Sequence, residues 1–112
     1  MILEKNWNNG DVCTIKMTTG DEVVAKIVDS APSWIMLAKP LVLSLGVDPQ
    51  TQQYQLQMLP TFLFSAKPDA KLKIDMQHVI TITLSEENAK NSYITNTTGL
   101  AVPSVHQTGL VR

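Results

Sequence analysis

Apolar and polar positions alternate with period two in short runs, separated by turn residues, over most of the chain from Asp11 to Leu84. This is the pattern of strands that bury one face. In the first run Val12, Thr14 and Lys16 fall on one side and Cys13, Ile15 and Met17 on the other. Thr18-Thr19-Gly20-Asp21 supplies turn chemistry, with Gly20 able to take positive φ, and the β-branched Val23, Val24, Ile27 and Val28 continue over residues 22–29. The two runs read as a hairpin. Residues 29–33 read as a loop, since Pro32 lacks the N–H a central ladder needs and Asp29, Ser30 and Ser33 can bond local backbone.

Residues 34–45 form a third run, apolar at nearly every position, so it must be covered on both faces or bend across a core. Lys39-Pro40 marks the place for a bend or bulge. After a turn at residues 46–51, residues 53–58 alternate as a fourth strand, and Pro60 places that strand at an edge or at a bulge. Phe62, Leu63 and Phe64 extend it and need a partner. Residues 66–73 read as a polar connection, and the interleaving of Lys67, Lys71 and Lys73 with Asp69 and Asp75 reads as a solvated turn rather than a basic patch. The fifth strand covers residues 76–84: the polar pair Gln77-His78 stands at its start, and Ile80, Thr81, Ile82, Thr83 and Leu84 alternate after it.

Beyond Leu84 the pattern changes. Ser85 with Glu86 and Glu87 reads as an N-cap and first-turn carboxylates of a short helix to about Ile94. A brief helix is also expected before the Asn8-Asn9-Gly10 turn. Residues 96–112, rich in Ser, Thr, Gly and Pro and without periodicity, read as a flexible tail. Five short strands with short connections predict an all-β fold: a small, strongly bent five-stranded antiparallel barrel. With its terminal extensions it occupies residues 1–95.

A chain of 112 residues fits one domain large enough to hold itself without a disulfide or a metal. The single cysteine has no internal partner and no Cys/His cluster accompanies it, so neither a metal nor any other cofactor is expected, and a reducing cytoplasm suits the chain. The N-terminal residues lack the basic-then-apolar build of a signal peptide, and the apolar stretch at residues 34–47 is too short to span a bilayer, so no membrane partner is expected. Net charge is −1, and the only arginine is Arg112, so any polyanion must be drawn locally rather than by a global field. No nucleophile–base pair, paired carboxylates or phosphate-binding glycine loop can be recognised, which argues against an enzyme with catalytic residues.

Three segments, in order, resemble a known family. Met17-Thr-Thr-Gly20-Asp-Glu-Val23-Val-Ala25-Lys-Ile27 resembles the first Sm motif, with Ala25 where most Sm sequences have a second glycine. Trp34-Ile-Met-Leu-Ala-Lys39 resembles the aromatic-aliphatic-lysine run of the third strand in the bacterial Hfq branch, and Met76-Gln-His78-Val-Ile-Thr resembles that branch's segment around Lys-His, with Gln77 replacing the lysine. The eukaryotic Asp-x-x-Met-Asn and Arg-Gly elements are absent, and the loop at residues 29–33 is longer than in Hfq. The long third and fourth strands and the polar tail look more like the Sm-like proteins of large tailed phages, for which the location is the host cytoplasm.

The resemblance implies a cyclic homo-oligomer closed through the fourth and fifth strands, with the loops after the second and fourth strands lining a pore that takes single-stranded RNA. The implied contact residues are Gln77 and His78, with Asp29, Ser33 and Trp34 beside them. On the residues alone, a histidine satisfied at a strand end is the stronger reading of His78, and the resemblance brings base contact level with it. Trp34 can stack on a base, though interface or loop packing is slightly favoured; Asp29 reads more readily as a turn former. Two alternatives stand beside RNA binding: a structural ring of the same fold that does not bind RNA, and a monomeric OB-type barrel for single-stranded DNA. Few aromatics and no basic groove disfavour the second.

Overall fold

In the computed structural model, which describes residues 5–98, the chain forms antiparallel β structure with one C-terminal helix. The strands are β1 (Val12–Met17), β2 (Glu22–Ala31), β3 (Trp34–Val47), β4 (Tyr54–Leu59), β5 (Lys71–Asp75) and β6 (Val79–Leu84), and the helix is α1 (Glu87–Thr98). They join in one sheet in the order β4-β3-β2-β1-β6, with β5 also paired to β3. Among the described residues no helix is long and apolar enough to cross a membrane.

The expected hairpin forms, with Val12 facing Lys26 and Lys16 facing Glu22. Gly20 takes φ +98 in its turn, a conformation that side chains with a Cβ rarely adopt. The alternation in β1 sorts the side chains as expected: Cys13, Ile15 and Met17 enter the main core with Val23, Ala25, Ile27, Ile35 and Leu37. Val12, on the other face, packs with Val24, Leu41 and Tyr93 in a second cluster beneath α1. Trp7 is also buried in the main core, under the Lys5 ammonium, which lies 4.4 Å from its ring centroid.

β2 and β3 are both bent, by two opposed bulges. Val24 faces Leu41 while Lys26 faces Ala38, so Ala25 alone spans the two residues Lys39 and Pro40, and Lys39 takes φ 50. One register position further, Ile27 faces Leu37, but next Asp29 faces Met36, which makes Val28 the extra residue. Two-against-one pairing bends a strand and leaves backbone groups off the ladder. The Tyr93 hydroxyl takes up two of them, donating to Ala38 O at 2.8 Å and accepting from Lys26 N at 3.2 Å. The bend therefore occurs opposite Ala25 without a second glycine.

Several expectations are corrected. There are six strands, not five: residues 71–75, of which 71–73 read as part of a polar connection, form β5. Phe62, Leu63 and Phe64 do not extend the fourth strand; they lie in an irregular segment, where Phe62 packs on the main core and Phe64 is exposed. The last strand begins at Val79, because Met76–His78 form a 3-10 turn capped by Asp75. Residues 29–31 are strand rather than loop, pairing with Met36, Ile35 and Trp34, which leaves Pro32 and Ser33 as the turn. Residues 5–10 are not helical. α1 runs four residues beyond Ile94, and Glu86 rather than Ser85 meets its start, accepting from Asn88 N at 2.6 Å. Ser85 instead shares a hydrogen bond with Thr14. The boundary at residue 95 thus falls inside α1, and of the predicted flexible tail residues 99–112 lie outside the described residues.

Tyr93→Phe should keep the helix packed but leave the bulge backbone short of two partners, at a cost of about 1–3 kcal/mol measured by urea unfolding. A second prediction concerns pH. Burial, and then the Asp11 charge, push the Cys13 thiol up from 9.0 to about 12. A folded-state value above the unfolded one stabilises fully at lower pH and is lost as pH rises from about 9 towards about 12. Unfolding at stepped alkaline pH should show this decline in wild type and a flatter one in Cys13→Ala.

Candidate functional site

Two turns meet at one pole of the sheet. The turn between β2 and β3 consists of Pro32 and Ser33, closed by the Ala31–Trp34 pair. The 3-10 turn Met76–His78 follows β5, whose last residue, Asp75, faces Trp34. Met76 N donates to Ser33 O at 2.9 Å and ties the two turns together. An Asp at the cap makes the 3-10 turn possible: Asp75 Oδ1 accepts from Gln77 N at 2.8 Å, which turns the strand out of its ladder.

The candidate residues lie around this junction. Gln77 and His78 are both exposed. His78 is anchored through its backbone, its carbonyl accepting from Thr18 N at 2.8 Å. It lines an open cleft of about 540 Å³ shared with Thr19 and Asp21 of the β1–β2 turn, Phe62, Lys73 and Asp75. Ser33 is exposed in the turn and uses its carbonyl to hold Met76. Trp34 is half-buried, and the Lys73 ammonium sits 4.7 Å from its ring centroid. Asp75 joins the two parts, facing Trp34 across the ladder and lining the cleft of His78.

Asp29 stands apart. It faces Met36 in the register row behind the Ala31–Trp34 pair, on β2 rather than in a loop, and its Oδ1 accepts from Ser30 N at 2.8 Å. Asp29 therefore forms no turn here: its side-chain bond goes to the next residue within the strand, not two residues on as in an Asx-turn. Four of the five candidates are thus gathered at the pole, and Asp29 is one row removed.

Lys73 and Asp75 are residues of this site that the reading of the sequence placed in a solvated turn. The signal was present: Lys71-Leu72-Lys73-Ile74-Asp75 alternates strictly, with Leu72 and Ile74 half-buried and the charged residues exposed. The interleaved charges mark the outward face of a strand.

Chemically, the pole offers an amide, an imidazole, an indole with one face under an ammonium, and a carboxylate. Such a set can stack on a planar ring and exchange hydrogen bonds with its edge. No family model matches the chain, and no curated protein matches it.

Lys73→Ala should uncover the Trp34 ring at a stability cost of about 0.5–1 kcal/mol. Acrylamide should then quench the tryptophan emission more strongly than in wild type, with the buried Trp7 contributing a constant background.

Proposed function

We propose that the chain is an Sm-like protein that closes a small bent barrel, assembles head to tail into a ring, and binds single-stranded RNA at the pole. One observation carries the reading. The turn after the second strand and the 3-10 turn that carries Gln77 and His78, the pair the resemblance assigns to RNA, are joined by the Met76 N to Ser33 O bond. Further support comes from the bend opposite Ala25, where the Sm motif has its second glycine. The edges that would close the ring are the outer sides of β6 and of β4 with β5. Exposed Ile80 and Leu84 on β6 give one of them an apolar rim of the kind a partner strand covers. In this reading Gln77 and His78 read base edges, Trp34 stacks, and Ser33 shapes the turn beside them.

A second reading, a structural ring without RNA, is favoured by a different surface. The far half of β3 and β4 form a ribbon in which Leu45 faces Leu56 and Val47 faces Tyr54. These four side chains are 51–73% exposed on one face of the ribbon. Apolar surface of that kind suits protein contact better than nucleic acid.

Titration of labelled oligouridine and oligoadenine should give saturable binding at low salt, and a Gln77→Ala, His78→Ala double variant should lose it. Equal binding by the variant removes the pole as the site, and no binding by wild type favours the structural ring. For assembly, light scattering should return a multiple of 12.4 kDa, and Ile80→Lys should return the monomer with the fold retained. A wild-type monomer at micromolar concentration contradicts the ring.

A further inference from the structure

The outward face of β2, β3 and β5 is laid out in three register rows. Lys26, Ala38 and Lys71 form the first, Asp29, Met36 and Lys73 the second, and Ala31, Trp34 and Asp75 the third. Rows are about 6.7 Å apart and neighbouring strands about 4.8 Å. Residues between these rows point inward, as burial of Ile27, Ile35 and Leu37 demonstrates. Met36 and Trp34 are half-exposed at the centre, while Lys26, Lys71 and Lys73 are exposed around them. The face therefore holds three of the nine basic residues of a chain whose net charge is −1.

Charge on this face is graded rather than cancelled. The Lys26–Lys71 row borders α1, whose Tyr93 bonds Lys26 N and Ala38 O, and the two carboxylates lie nearer the pole. Both carboxylates are engaged locally, Asp29 by Ser30 N and Asp75 by Gln77 N. Lys73 lies between the two zones, above the Trp34 ring.

We propose that this face is a path for single-stranded RNA leading away from the pole, with Trp34 and Met36 as the surface under the bases and Lys26, Lys71 and Lys73 as phosphate contacts. The proposal rests on the pole reading and extends it. It supplies the phosphate contacts that the Gln77-His78 pair lacks, and a flexible single strand can follow the face where a rigid duplex cannot. Charge complementarity to phosphate, together with an aromatic and a thioether beside the ammonium groups, favours a nucleic acid over an acidic peptide, which has no planar rings to stack.

The test is a triple variant, Lys26→Gln, Lys71→Gln and Lys73→Gln, checked for a cooperative melting transition well above the assay temperature and titrated with short labelled oligouridine and oligoadenine over a range of salt. Affinity at low salt should fall about ten-fold or more, and the slope of log K against log salt should lose about 2, at ~0.7 per single-strand phosphate contact. Tryptophan emission should be quenched on saturation in wild type and not in Trp34→Phe. If the triple variant binds with wild-type affinity and slope while the Gln77→Ala, His78→Ala variant loses binding, the path is wrong and the pole stands. If wild type binds no oligonucleotide, the pole reading fails and the path falls with it. Polyglutamate bound as tightly as the oligonucleotides overturns the assignment to RNA.

Discussion

The bend of β3 at Lys39-Pro40 is the constraint on which the remaining structure depends. β3 is the strand that pairs with three others: β2 along one edge, and β5 and then β4 along the other. A straight strand of this length could not serve both the core and a projecting ribbon. The extra residue at Lys39 and the compensating one at Val28 let both strands turn, and the Tyr93 hydroxyl satisfies backbone that the turn takes off the ladder. Left unmet, these two part-buried groups would together cost about 1–3 kcal/mol, so a single phenol on α1 contributes out of proportion to its size. The helix is thereby part of the sheet's geometry rather than an appendage.

From that bend follow two surfaces of opposite character. On the near side, β3 carries Trp34 and Met36 beside β5, and its turn reaches the 3-10 turn to make a polar pole. On the far side it leaves the core with β4 as a ribbon, apolar on one face and bearing Ser44, Gln55 and Gln57 on the other. The first surface suits a planar, hydrogen-bonding ligand, and the second suits protein. A ring that binds RNA uses both, while a purely structural ring uses the second alone. Because net charge gives no general attraction, placement of a few lysines decides between them.

Much of the fold could be read from local pattern. The β1–β2 hairpin was legible because period two and a turn glycine agree, and the bend at Lys39-Pro40 because a proline cannot continue a central ladder. The errors have physical causes. Phe62, Leu63 and Phe64 carry no alternation, and whether Phe62 meets a core is settled by tertiary packing that the local sequence does not encode. Residues 71–75 alternate, but interleaved Lys and Asp are equally the composition of a solvated turn, and Leu72 and Ile74 alone mark the inward face. The 3-10 turn depends on Asp75 capping it, and a lone Asp before Met-Gln-His is also compatible with a continuing strand. At the candidate site, Gln77, His78, Ser33 and Trp34 are named by the resemblance and the fold brings them near one another, whereas the partnership of Lys73 with Trp34 needed the register of β3 against β5.

The central claim is that RNA contacts the junction of the two turns. Amide and side-chain chemical shifts followed by NMR during titration with unlabelled oligouridine test it most directly. The account predicts that the largest changes cluster at Ser33, Trp34, Gln77 and His78, with smaller ones spreading towards Met36 and Lys73. Changes centred instead on the ribbon, at Leu45, Tyr54 and Leu56, or an unchanged spectrum at saturating oligonucleotide, would contradict it.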